Sequence, residues 1–245
     1  MSLEKNSYLF NAGTALAFGL IISSIILGWS YTRIKKGDEA ITVTGSARKR
    51  IKSDLVVWSA GVSSQSAKLA DAYRQLSDNI PRIKQYLQSK GIAENQMTVS
   101  AISSTTLHER DAQGNESSAI TGYSLHQQVE VKSTDVDRIA QIARESTELI
   151  NQGILLESSA PQYSYTQIGD LKIAMLGEAA KDAKTRAEQI AASTGNKIGT
   201  VRSAKMGVMQ ITAADSTEVS DSGISDTTSI DKDMTAVVNV SFAVE

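Results

Sequence analysis

Hydrophobic and polar positions follow three different rhythms along this chain. From Asn6 to Thr32 there is no Asp, Glu, Lys or Arg, and the middle reads ALAFGLIISSIILGW. A membrane-spanning helix needs roughly 20 apolar residues to cross about 30 Å of hydrocarbon, so this stretch predicts one transmembrane helix. Tyr8 and Phe10 sit near one end and Trp29 and Tyr31 near the other, where aromatic belts belong. A cleaved signal peptide would show a shorter apolar core, a more basic start and a small-residue cleavage site. The chain instead begins MSLEKNS and leaves the segment through GWSYTRIKK, with no A-x-A pattern, so an uncleaved anchor is expected. Within it Ala15, Gly19 and Ser23 recur every four residues, a small-residue face on which membrane helices approach closely.

Beyond the linker the rhythm shortens to two. Ala40 to Gly45 alternates β-branched residues and predicts a strand, with Gly45 as a bend or bulge. The basic insert ARKRIK follows as a turn, and DLVVWSAGVSS predicts a second strand with Val56, Trp58 and Ala60 on one face. A spacing of three and four then takes over. Leu69, Tyr73, Leu76, Ile80, Ile83 and Leu87 form one helical stripe that keeps phase across Pro81 and stops at Gly91. Strands are expected near Gln96–His108 and Ile120–Val131, joined by the polar RDAQGNESSA. A helix starts at Thr134–Asp135 with Val136, Ile139, Ile142 and Ala143 inward, and GILLESSAPQYSYTQ reads as another strand. The last helix, Asp170 to Thr194, carries Met175, Ala179, Ala183, Ala187 and Ala191 every four residues, a face suited to close packing. Strands near Lys197–Ile211 and Asp233–Val244 close the chain. Between them lies a Ser-, Thr- and Asp-rich segment that cannot bury enough to order alone. The expected fold is α+β, a mainly antiparallel sheet with helices packed on one face, preceded by one N-terminal transmembrane helix. Residues 1–38 are anchor and linker; 39–245 form one domain with a flexible acidic loop near 213–231.

Composition narrows the chemistry. Of 245 residues 41% are hydrophobic and 21% charged, and the net charge of -2 draws the chain to no nucleic acid. With no Cys there is no disulfide, thiolate or Cys-based metal site. His108 and His126 are the only histidines, one on each side of the long hairpin. With a turn near Asn115, His108 faces about Gly122, so the two do not pair. No G-x-S-x-G, H-E-x-x-H or phosphate-loop pattern occurs, and no Ser has a local partner that marks a nucleophile. The acidic loop lacks the spacing of a calcium loop. No catalytic residue, cofactor or metal ligand is therefore assigned. Arg48, Lys49, Arg50 and Lys52 are candidate contacts for lipid headgroups, because they lie some fifteen residues from the membrane exit.

ITVTGSARKRIKSDLVVWSAGV, the helix after it and KGIAENQMTVSAI together resemble the SIMPL-domain family. The family's opening V-x-V-x-G corresponds to Ile41, Val43 and Gly45, its strand-opening acid to Asp54, and its helix exit to Gly91, Ile92, Glu94 and Thr98. GYSLHQQVEVKSTDVDRIAQI and IAMLGEAAKDAKTRAEQIAASTGNKIGTV continue the likeness, which covers Ile41 to Glu245. Ser53 stands where family members usually carry Pro, and the acidic loop is individual to this chain. The family includes periplasmic immunogenic proteins and an oxidative-stress defence protein. The resemblance implies an exported α+β domain that in some members assembles into rings with a channel-like centre, and it implies no enzyme.

The expectations for function follow. Arg33, Lys35 and Lys36 after the span argue for a cytoplasmic body, whereas the resemblance argues for an extracytoplasmic one; the second is preferred. The chain is expected to be a single-pass protein of the inner membrane that self-associates through sheet edges and its Ala-lined helix. It would be a non-catalytic, stress-related envelope component whose partners are itself and the membrane. The alternative is a small-molecule or lipid-binding module with a groove lined by Trp58, Tyr163 and Tyr165.

Overall fold

A computed structural model describes residues 16, 17, 19–29 and 39–245. The body is α+β, with antiparallel sheets and several helices, as the alternation predicts. Residues 19–29 are helical (α1), and Leu20, Ile21, Ile22, Ile25, Ile26 and Leu27 are all more than half exposed, so the helix is apolar on every side. Among the described residues no helix is long and apolar enough to cross a membrane. Of the predicted span, Gly19, Ser23 and Trp29 lie in α1, while Tyr8, Ala15 and Tyr31 lie outside the described residues.

The remaining chain divides into two compact units. Unit 2 comprises 48–174 and 208–235. Its sheet has strand order β3 (Met97–Val99), β5 (Glu116–Ser133), β2 (Leu55–Ser66), β6 (Leu156–Ser158). β4 (Ser103–Arg110) also pairs with β5, and β7 (Gln162–Ser164) with β2. Register sets Trp58 opposite Val131 and Ala60 opposite Val129, so the buried residues of both strands share one face. On that face pack α2 (Leu69–Ser89) and α3 (Val136–Glu145), through Leu76, Ile83, Leu87, Ile139 and Ile142. α2 runs as one helix through Pro81. It ends where Gly91, at φ 84°, takes the left-handed conformation and Ile92 N–H returns to Leu87 O at 3.0 Å. α3 starts at Asp135, whose carboxylate accepts from Arg138 N–H at 3.2 Å. A four-residue helix, α4 (Glu148–Asn151), follows.

Two details of the stripe differ from expectation. Leu69 and Tyr73 are 46% and 55% exposed, and Ala72 takes the buried place in the first turns of α2. The strand expected over Gln96–His108 is broken at 100–102, where the Ser100 side chain accepts from Gln128 N–H at 3.0 Å. Hydroxyls of this kind compete with a regular ladder.

Unit 1, apart from its N-terminal residues, comprises the first half of β1 (Ala40–Lys52), the end of α5 (Ile168–Ser193), β8 (Ile198–Met206) and the end of β10 (Asp231–Val244). β9 (Gln210–Ala213) pairs with the unit 2 half of β10. Gly45 is not a bend: β1 runs straight through it. A Cβ at Gly45 would lie 2.2 Å from Ala179 O and 2.4 Å from Ala183 N. Here glycine and the Ala stripe are one device, bringing helix backbone onto strand backbone. Ala179, Ala183, Ala187 and Ala191 are fully buried inside their own unit, so the stripe does not serve as a free self-association face.

Candidate functional site

The basic insert is the first site to trace. It is not a turn but the second half of β1, and three of its four cations already have carboxylate partners. Asp233 of β10 is 2% exposed and accepts from Arg48 Nη2 at 2.6 Å, Arg50 Nε at 3.1 Å and Asp215 N–H at 2.8 Å. Arg50 also pairs with Asp215. These donors, Arg50 first, hold the Asp233 carboxyl well below the usual carboxylate range, and the two aspartates raise the Arg50 guanidinium. Lys52 pairs with Asp137 at 2.7 Å, and of the four cations of the insert Lys49 alone has no ion pair among the described residues. The partners are 85 to 185 positions away in sequence, so local spacing carried no signal of them.

The cluster also anchors the acidic segment. Ser216 O accepts from Arg48, Gln210 Nε2 donates to Ser220 O at 2.6 Å, and Ile211 bridges to Ser225. Beside it Lys232 is 2% exposed, its ammonium donating to Tyr163 O at 2.8 Å and to Asp226 O. Burial pushes this lysine down from 10.5. Its neighbours are backbone carbonyls within the protein rather than a cavity, which makes it a structural clamp.

Chemistry missed by sequence reading appears on the outward face of unit 2. Ser63 of β2, His126 of β5 and Glu157 of β6 meet there, although His126 lies opposite Ser103 in register and away from His108. Ser63 Oγ donates to Glu157 Oε1 at 2.6 Å and lies 3.1 Å from His126 Nδ1. Its single proton goes to the acid, so the Nδ1–H of His126 is the donor to Ser63. An activated serine needs the reverse, with its proton on the histidine and the acid on the far ring nitrogen. A base does stand beside a serine, but the wiring leaves the nucleophile unactivated. Among the described residues no group of three or more His, Asp or Glu is placed to hold a metal ion.

Trp58 and Tyr163, expected to line a ligand groove, are 1% and 8% exposed core residues; the Trp58 Nε1 donates to Ser158 Oγ at 3.1 Å. An open groove of about 830 Å³ lies elsewhere in unit 2, at the start of α2, lined by Leu69, Ala70, Tyr73, Arg74, Ile102 and Leu125.

A further uncovered feature lies at the edge of the unit 1 sheet. Among the described residues β8 pairs on one side only, with β10. Its Met206 and Ala204 lie opposite Val238 and Val240, and Val201 opposite Phe242, so they share the face whose β10 residues are buried. Yet Met206 is 65% exposed and Val201 57%. β8 offers both a bare apolar face and an unpaired backbone edge.

These features define an α+β domain of antiparallel sheets and several helices. A family model for SIMPL, described as a protein of unknown function (DUF541), matches residues 41–242, and the chain belongs to that family. No curated protein matches it.

Proposed function

We propose that this chain is a membrane-anchored, extracytoplasmic SIMPL protein whose body assembles with copies of itself into an oligomeric, ring-like envelope structure without catalysis. The observation that carries the reading is the bare apolar face of β8, because folded chains normally cover such a strip. The uncharged stretch from Asn6 to Thr32 and the all-round apolar α1 support the anchor. Stress-related service in the envelope rests on the family likeness alone. The test is the mass of residues 39–245 by light scattering after gel filtration, with negative-stain images of the peak. A discrete high-order particle is expected; a clean monomer at micromolar concentration would sink the reading.

The groove at α2 favours a second reading, a small-molecule or lipid-binding module. Its walls are mostly apolar with Arg74 at the side, the usual make-up of a site for an amphiphile. A fluorescent fatty acid should then bind saturably to the wild type and not to Tyr73→Glu, and a flat wild-type titration would remove this reading.

A further inference from the structure

Charge divides unusually cleanly between two exposed segments. Residues 197–206, which contain β8, carry Lys197, Arg202 and Lys205 and no acid. Residues 214–222 carry Asp215, Glu218 and Asp221 and no base. Asp215 is engaged by Arg50, but Lys197, Arg202, Lys205, Glu218 and Asp221 have no salt bridge among the described residues. Each segment also shows apolar surface: Val201 and Met206 on β8, and Val219, 77% exposed, in the acidic ribbon. From Ser216 to Ser220 the ribbon has neither helix nor strand of its own; the Ser216 and Ser220 carbonyls are held by Arg48, Gln210 and Gly223, and the stretch from Thr217 to Val219 between them is the part offered for pairing.

We propose that the acidic ribbon 214–222 of one copy docks along β8 of the next, adding to the open sheet edge and laying Val219 on the Val201–Met206 strip. This rests on the assembly reading above and names the two surfaces that perform it. Strand addition supplies main-chain hydrogen bonds, while Glu218 and Asp221 meet the unpaired cations of β8 and fix direction and register. The same strand of a second copy is a poor partner, because Lys197, Arg202 and Lys205 would face their own counterparts, and like charges across a strand pair repel. A contact between two different surfaces is head-to-tail, and repetition of it closes a ring or grows a filament.

The test uses charge reversal in the full-length chain in detergent micelles, with mass read by light scattering. Arg202→Glu with Lys205→Glu should weaken self-association more than about tenfold, and so should Glu218→Lys with Asp221→Lys. All four reversals in one chain restore complementarity and should return assembly to within about threefold of wild type. Recovery in the combined chain also shows that the single-surface variants fold. If both single-surface variants assemble like wild type, or the combined chain stays dissociated, this pairing is overturned while the assembly reading stands. If the wild-type chain itself is monomeric in micelles, both fall.

Discussion

The two units solve the same packing problem with different side chains. In unit 2, α2 and α3 reach the sheet through long residues, and Trp58, Leu76, Ile83, Leu87 and Ile139 fill the layer between. In unit 1, α5 meets β1 through Ala179, Ala183 and Gly45, where helix and strand backbones come close together. A layer of large side chains spreads the helices apart and covers the width of a sheet. A backbone-to-backbone contact is close but narrow, and the third strand of the sheet is left bare.

The contrast can be broken at its two ends. In unit 2, Trp58→Ala removes a fully buried indole and strips Ser158 of its donor, and should cost about 4 kcal/mol in urea unfolding. In unit 1 the damaging change has the opposite sign of volume. Gly45→Ala sets a methyl against Ala179 O and Ala183 N, backbone atoms that cannot rotate away, and should cost about 3 kcal/mol. A cost below about 1 kcal/mol would show that α5 can lift off the strand freely, and the close-contact account would be wrong.

These positions also show what a sequence reveals. The Met175–Ala191 stripe, the α2 stripe and the Val56–Trp58–Ala60 alternation are local periodicities, and each marks a buried face that the structure contains. The α+β class followed from them. What periodicity cannot report is the partner across the gap. Gly45 read as a bend because its neighbour, the α5 backbone, is more than a hundred residues away. The basic insert read as a free patch because Asp215 and Asp233 come from the far end of the chain. Val201 and Met206 looked like ordinary strand residues, since alternation predicts a buried face without saying that any helix is wide enough to bury it.

Between the two extremes lies the Asp233 cluster of unit 2, which depends on charge. The folded carboxyl is held below its ordinary value of 3.8, so its stabilisation is fully present above that value and is lost as pH falls through the folded one. Asp233→Asn should lower stability by about 2 kcal/mol at neutral pH, because two guanidiniums and the Asp215 N–H lose a charged acceptor. The acid limb below about pH 4 should flatten in the variant. Equal acid limbs in the two proteins would assign acid sensitivity to other carboxylates.

The smallest effect is expected at β8, and its smallness is informative. Val201→Ser and Met206→Ser alter side chains that are 57% and 65% exposed, so stability of the dissociated chain should change by less than about 0.5 kcal/mol. Val238→Ser, directly opposite Met206 but 7% exposed, should cost several times more. Two residues facing each other across one strand pair would then differ chiefly in whether they are buried. If the Met206 and Val238 variants were equally destabilised under dissociating conditions, β8 would be covered within its own chain, and an exposed apolar strand would no longer be the surface that calls for a partner.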